Sequence, residues 1–280
     1  MSLKSLKSLK SLKTLKPLKS LKSSHLTLKM DRREFIKQSA RAAAGGLLLA
    51  TPFGRIVSLG KADENNQSKE NRNMRVLLIN GSPHPKGNTF ISLSEAAKTL
   101  EQDGIETEIV QIGVRGVRGC IACGKCHQQS LGKCVFDDDV CNSIIAKLDS
   151  ADGIIIGSPV YYGQPNGSVL SLMQRMFYAA GSKVRNKPAA GVCVCRRGGA
   201  TAAFQTLNMP FQMMNMPVVS SQYWNIVYGM SEGEASLDRE GMQTMRTLAH
   251  NMAWLLKKIH ADGGPGYPER EPAQGMNFIR

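Results

Sequence analysis

Residues 74–89 read Met-Arg-Val-Leu-Leu-Ile-Asn-Gly-Ser-Pro-His-Pro-Lys-Gly-Asn-Thr, and the rest of the chain is organised around them. The apolar run from Val76 to Ile79 predicts a short strand covered on both faces, as the first strand of a parallel sheet should be. The chain then breaks at Asn80-Gly81-Ser82-Pro83, passes Pro85 and Gly87, and starts a helix at Asn88-Thr89. Leu93, Ala96, Ala97 and Leu100 recur on one face of that helix. The N–H groups of its first turn, with the Ser82, Asn88 and Thr89 side chains, are expected to converge on one point. Free donors and the positive end of the helix dipole make such a point suit a phosphate. The pattern is neither the G-x-G-x-x-G dinucleotide fingerprint nor a Walker loop. On these residues alone, a simple capped helix start stands beside the phosphate reading.

The first 62 residues are unlike the rest. Residues 2–22 are seven copies of a three-residue unit, six Ser/Thr-Leu-Lys and one Pro-Leu-Lys. A period of three turns each lysine further round a helix and builds no apolar face, so residues 1–29 read as a disordered low-complexity leader. Met30-Asp31-Arg32-Arg33 is a natural start, and the repeat reads equally as translated tandem DNA upstream of the true initiator. Residues 1–62 carry 14 Lys/Arg and 2 Asp/Glu, whereas the other 218 residues carry 22 and 20. The basic charge therefore belongs to the leader and gives no reason to expect nucleic-acid binding by the folded part.

Arg32-Arg33-Glu34-Phe35-Ile36-Lys37 resembles the twin-arginine export signal, and residues 30–62 read as such a segment. Ala42 to Ala50 is apolar but too short to span a bilayer, which takes about 20 residues. No stable membrane span is expected, and periplasmic export is the reading, with a cytosolic protein as its alternative. The polar stretch 63–73 reads as a linker to one domain over 74–280.

Downstream, strands and helices alternate. Glu106 to Ile112 is expected as a second strand, Gly153 to Gly157 as a third and Pro188 to Cys195 as a fourth. Pro217 to Ser220 is expected to begin a fifth. Helices are expected through Ile144, Ile145 and Leu148, through Val169 to Phe177, and after Gly199. A last one carries Met242, Met245, Leu248, Met252, Leu255 and Ile259. This alternation implies a doubly wound five-stranded parallel α/β sheet. Ligands of such sheets bind beyond the carboxyl ends of the strands. Three loops lie there: 81–89, 158–167 and 196–199. The first suits a phosphate and the second, with Tyr161 and Tyr162 in a Pro- and Gly-rich turn, suits a flat ring. The third brings Arg196 and Arg197. A phosphate site beside a planar site describes a flavin mononucleotide pocket.

Gly81-Ser82-Pro83 with Gly87-Asn88-Thr89, followed by Ser158-Pro159-Val160-Tyr161, resembles the flavodoxin-like NAD(P)H-dependent FMN reductase family. The resemblance covers residues 74–280 and implies roles by position. Ser82, Gly87, Asn88 and Thr89 would hold the FMN phosphate. Pro159, Val160, Tyr161, Tyr162 and Gly163 would lie along the isoalloxazine, with Arg196, Arg197 and Gly198 near its other edge. Members often carry Asp-Arg in the helix after the second loop. Here the pair is Gln174-Arg175, which removes the expected reason for an ion pair there.

Cys120-x2-Cys123-x2-Cys126-x7-Cys134 is the second strong pattern. Closely spaced thiolates with Gly124 and Gly132 suit the turns of a ferredoxin-type cluster. A structural zinc and free or disulfide-bonded thiols are the competing readings. The run looks like that of the iron–sulfur flavoprotein branch of the family, which implies a 4Fe–4S cluster on these four residues. Cys141 reads as a helix residue, and Cys193 and Cys195 as small core residues on one strand face.

Asp137 to Asp139 read as helix-capping carboxylates. His84 reads equally as a phosphate neighbour and as a solvated residue, and His127 as a minor alternative ligand. Met209, Met213, Met214 and Met216 read as core or subunit interface, in keeping with a homo-oligomer. Trp224 reads as lining a pocket or simply packing.

Together these readings describe an FMN-dependent oxidoreductase in which flavin accepts a hydride or electron pair. The alternatives are an exported electron carrier without a small-molecule substrate and a cofactor-free module with a zinc clip. NAD(P)H is kept in the cytosol, so an exported member needs another donor, such as a reduced carrier protein or quinol.

Overall fold

The computed structural model describes residues 73–261, 266–269 and 271–272, all within the compact unit Gln67–Arg280. The Ser-Leu-Lys repeat, the twin-arginine segment and all of the linker except Asn73 lie outside the described residues.

The apolar run becomes strand β1, Arg75–Asn80, and the periodic face becomes helix α1, Asn88–Gln102. Strand β2 is Glu106–Gln111. A short helix α2, Lys125–Gln128, lies in the cysteine segment and is followed by α3, Cys141–Lys147. Strand β3 is Gly153–Tyr161, β4 is Gln164–Pro165 and helix α4 is Gly167–Val184. Strand β5, Ala189–Cys195, leads to α5, Ala200–Met213. Strand β6, Ile226–Tyr228, a 3₁₀ turn at Glu234–Leu237 and α6, Arg239–Ile259, complete the fold.

The parallel strands stand in the order β2-β1-β3-β5-β6. With the hairpin strand β4 left aside this is the 2-1-3-4-5 order of the flavodoxin-like sheet. Neighbouring side chains on β1 go to opposite cores. Val76 and Leu78 pack with Leu93, Leu100, Met245, Leu248 and Met252 of α1 and α6. Leu77 and Ile79 pack with Ile144, Leu172, Met176, Leu207 and Phe211 of α3, α4 and α5. Because the side-chain period of a strand is two, a strand with helices on both sides must be apolar at every position. Cys193 and Cys195 share the second core, as their spacing predicts. Burial pushes the Cys193 thiol up to about 12 and the Cys141 thiol likewise to about 12.

Two elements differ from the sequence expectation. The expected loop 158–167 is largely strand, for β3 continues to Tyr161 and turns back through Tyr162-Gly163 into β4. Both turn residues have positive φ, 52° and 77°, the geometry of the tight hairpin turn that matches strand twist. The fifth strand at 217–220 is only a single bridge, Ala189 with Val218, and the ladder proper pairs Cys193 with Ile226. Four residues on β5 therefore face eight on the other side, and the excess bulges out at 219–225. The bulge carries Tyr223 and Trp224 to the surface with their rings 5.1 Å apart, so Trp224 is exposed rather than packed in the core.

Candidate functional site

The carboxyl ends of the parallel strands form one rim, and the first loop is sewn into it by its own backbone. Gly81 N–H donates to Gly157 O at 2.8 Å, joining the ends of β1 and β3. Ser82 N–H donates to Asn80 Oδ1, and the Ser82 hydroxyl accepts from His84 N–H at 3.1 Å. Gln111, at the end of β2, accepts from Asn80 Nδ2 and donates through Nε2 to Ser82 O. Ser82, Gly87 and Thr89 are buried and His84 is exposed. Helix α1 begins after Gly87 in extended conformation, with no side chain capping it. Its first N–H groups are therefore left to a ligand or solvent, which favours the phosphate reading over a capped helix start.

Asn88 is used differently from the sequence expectation. Its Nδ2 donates to Ser231 O at 2.8 Å and its Oδ1 accepts from Ala235 N–H at 3.1 Å. Both ends of the amide latch the turn after β6 onto the start of α1. The side chain positions the loop, and only its backbone N–H is left for a phosphate.

The second and third loops meet directly. Gly199 has φ +86°, and a Cβ there would lie 2.7 Å from Gly163 Cα. Only glycine fits this approach. Pro159, Val160 and Gly163 are half-buried at this junction, while Tyr161 and the tip residue Tyr162 are exposed. Arg196, Arg197 and Gly198 are exposed beside them. Among the described residues neither guanidinium has an ion-pair partner. Gly229 N–H donates to Cys195 O at 3.0 Å, which closes the rim at the β6 side. Sequence reasoning missed this last turn, Gly229–Leu237, because it placed the fifth strand several residues too early. Within it, backbone N–H groups of Ser231 and Met230 hold the Glu234 carboxylate below its usual range.

The cysteine segment folds against α4. Cys120, Cys123, Cys126 and Cys134 all line one hollow, whose wall is completed by Ile121, Phe136, Arg175 and Tyr178. Left-handed residues at Ala122, Gly124, Ser130 and Gly132 wind the backbone around it. Cys120 and Cys123 are exposed, Cys134 is half-buried and Cys126 is buried; burial pushes the Cys126 thiol up. No disulfide joins them, and the thiols are free. As placed, no three Cys, His, Asp or Glu groups among the described residues form a ready metal-binding set. The donor set nonetheless fits a cluster: four thiols share one largely apolar hollow, with N–H donors already aimed at two sulfurs. Ala122 N–H points at Cys120 Sγ, 3.4 Å away, and Arg175 Nε–H at Cys134 Sγ, 3.2 Å away. His127 instead packs edge-on against Tyr178 at 4.5 Å.

The ion pair that Gln174 put in doubt exists, with a partner from elsewhere. Fully buried Arg175 pairs through Nη1 with Asp139 and donates to Arg118 O and Phe136 O. Burial opposes its charge, but the bonds to Asp139 and Cys134 outweigh burial and hold its pKa up. Asp139 also accepts from Cys141 N–H at 3.0 Å. Burial works against its charge too, yet Arg175 and the Cys141 N–H keep its carboxyl below the usual range. Asp137 accepts from Asn142 and Asp138 pairs with Arg118. The three carboxylates thus brace the cysteine segment; the N-cap residue of α3, Val140, offers no side-chain bond, and Asp139 takes the first N–H of the helix instead. Of the methionines, Met216 is buried and Met214 packs on the core, while Met209 and Met213 are exposed.

A 2-1-3-4-5 parallel sheet with an uncapped helix start at its switch point defines the flavodoxin-like class. The model for NADPH-dependent FMN reductases matches residues 74–230, and the chain belongs to that family. An iron–sulfur flavoprotein of Methanocaldococcus jannaschii is 35% identical over 194 residues, covering 66% of this chain and 99% of the relative. One from Methanosarcina thermophila is 31% identical over 192 residues, covering 66% and 97%. Among solved structures, RosB with bound 8-demethyl-8-formylriboflavin-5′-phosphate superposes with TM-score 0.55 at 15% identity, covering 74% of this chain and 96% of RosB. That likeness is one of fold. The family and these relatives place the chain among flavin oxidoreductases or flavin electron carriers. Among the described residues no helix is long and apolar enough to cross a membrane.

Proposed function

We propose that this protein is an FMN-dependent oxidoreductase that also carries a 4Fe–4S cluster on Cys120, Cys123, Cys126 and Cys134. The observation that carries the reading is the hollow shared by those four thiols, set against the helix that begins at the flavin rim. Arg175 lies eight residues into α4, roughly 12 Å along its axis at 1.5 Å per residue. When bound, FMN supplies acceptance of a hydride or electron pair and the cluster supplies one-electron transfer.

The chain's own part is positioning. The N–H groups of Asn88, Thr89 and Phe90 would receive the FMN phosphate, with Ser82 and Gly87 shaping the cradle. Pro159, Val160, Tyr161 and Gly163 would flank the ring. Tyr162 is fully exposed at the hairpin tip and would serve as a cover rather than a floor. Arg196 and Arg197 would attract anionic groups at the same rim, where Gly198 follows them in an open turn. No side chain is assigned as acid or base.

For the electron source, the family description points to NADPH, whereas Arg32-Arg33 and the pattern around them support export by the twin-arginine route. In an exported protein a reduced carrier or quinol takes the place of the nucleotide. The exposure of Cys120, Cys123 and Ile121 favours the related reading in which the partner is another redox protein and no small molecule turns over.

The test is a visible spectrum with iron and sulfide analysis of anaerobically purified protein. Flavin bands with a broad cluster shoulder are expected, and Cys123→Ala should remove iron and shoulder while leaving the yellow flavin. A colourless protein would overturn the proposal, and a flavin-only protein would overturn its cluster half. Steady oxidation of NADPH would assign the donor to the nucleotide, and turnover only with a reduced carrier would assign it to protein.

A further inference from the structure

We propose that Arg175 is a positioning and tuning residue for the cysteine site: its guanidinium, anchored by Asp139, donates to Cys134 Sγ and raises the reduction potential of the cluster bound there. The proposal rests on the cluster reading above.

The geometry separates Arg175 from an ordinary structural arginine. A buried guanidinium needs a counter-charge and acceptors for its donors. Asp139 and the carbonyls of Arg118 and Phe136 supply these through Nη1 and Nη2. Of the two N–H donors that remain, the one on Nε points at Cys134 Sγ, 3.2 Å away. The side chain also forms part of the wall of the thiol hollow and stands over the Phe136 ring, 5.6 Å from its centroid. The planar fork thus couples three carbon-backbone segments to one sulfur: the loop before Cys120, the loop around Phe136, and α4 itself.

The electrostatic consequence follows from where the charge is held. A cluster ligated by four thiolates becomes more negative when reduced, and hydrogen bonds to its sulfurs and nearby positive charge favour the reduced form. Arg175 supplies both in a site that excludes water from its own head group. Asp139 opposes it in sign but lies on the far side of the fork, bonded to Nη1 and to Cys141 N–H, with no bond to a cysteine of the run. The two members of one ion pair should therefore push the potential in opposite directions. A pair that served only to hold the fold would not do this, since losing either member would loosen the same contact.

The experiment is a redox titration of the anaerobically purified full chain, followed by the low-temperature electron paramagnetic resonance signal, with iron and sulfide measured in each sample. Arg175→Gln should make the cluster about tenfold harder to reduce, which is about 59 mV for one electron. Asp139→Asn removes the negative charge, leaves one acceptor oxygen for either Arg175 or Cys141 N–H, and should shift the potential upward. Arg175→Lys should recover part of the loss, because the charge returns without the planar donor. If Arg175→Gln does not fold, Arg175→Met with Asp139→Leu replaces both buried charges by apolar groups and still removes the bond to Cys134. Its potential should then fall below that of the wild type. A full complement of iron with unchanged potential, or shifts of the same sign in Arg175→Gln and Asp139→Asn, would overturn the tuning role while leaving the cluster standing. Absence of iron and sulfide from the wild type would overturn both.

Discussion

Gly199 and Gly163 touch across the rim, so that a Cβ on Gly199 would stand 2.7 Å from Gly163 Cα. This contact locks the turn after β5 to the tip of the β3–β4 hairpin, and both flank the place proposed for the flavin ring. Gly199→Ala adds a Cβ where the backbone has φ +86°. The conformational strain alone is about 1–3 kcal/mol, and the clash is with backbone that cannot rotate away. The expected outcome is a lower urea midpoint and weaker flavin retention. Equal flavin affinity in the variant and the wild type would show that the junction does not shape the site.

Asn88 latches the turn at Ser231 and Ala235 to α1 with both ends of its amide. Asn88→Ala should lower stability by about 1 kcal/mol and speed hydrogen exchange at the Ala235 amide. Asn88→Asp keeps the acceptor for Ala235 but brings a negative charge to the uncapped helix start. It should therefore lose flavin more readily than its stability loss explains, measured as FMN dissociation at matched denaturant stability. If the alanine and aspartate variants released flavin alike, the phosphate would not sit at this helix start.

Gly81 is hemmed in by β3 and α4. A Cβ there would stand 2.1 Å from Val169 Cγ2 and 2.6 Å from Gly157 O. Gly81→Ala is expected to cost about 1–3 kcal/mol through overpacking and to displace the phosphate loop. Trimming the side chain in Gly81→Ala with Val169→Ala should restore part of the stability but not the flavin content, because the carbonyl clash remains. Full recovery of bound flavin would mean that only the side-chain contact mattered.

The pH dependence of stability carries the mark of Asp139. Its folded-state pKa is depressed, with burial opposing and Arg175 and Cys141 N–H favouring the charge. A depressed carboxylate contributes stability that is present above its unfolded value of about 3.9. That contribution is lost as the pH falls through the folded value. The urea midpoint of the wild type should therefore fall more steeply on acidification than that of Asp139→Asn. Parallel curves for the two proteins would show that the Arg175–Asp139 pair adds nothing to stability.

Much of this protein was legible in the sequence, for local reasons. The apolar runs at 76–79 and 153–157 can only be strands covered on both sides, and the observed β1 and β3 lie between two cores. The glycines and prolines at 81–87 could only interrupt a strand before a helix, and α1 starts one residue after Gly87. The cysteine spacing left a cluster, a zinc and free or disulfide-bonded thiols open, and the four thiols line one hollow. The hairpin at Tyr162-Gly163 was hidden because two positive-φ residues in a row look like any loop. The true place of β6 was hidden because a bridge at Val218 and a ladder at Ile226 share one strand-like stretch.

Local pattern thus determined which residues face the core and which turns sit at the strand ends, since each depends on neighbours a few positions away. The choice of partners was made by the tertiary structure alone. Asn88 meets Ala235 across 147 positions and Arg175 meets Asp139 across 36. A buried guanidinium takes whichever carboxylate the fold delivers, and an amide at a helix start bonds whichever backbone passes by. Such pairings follow from how the helices pack on the sheet, and no spacing along the chain encodes them.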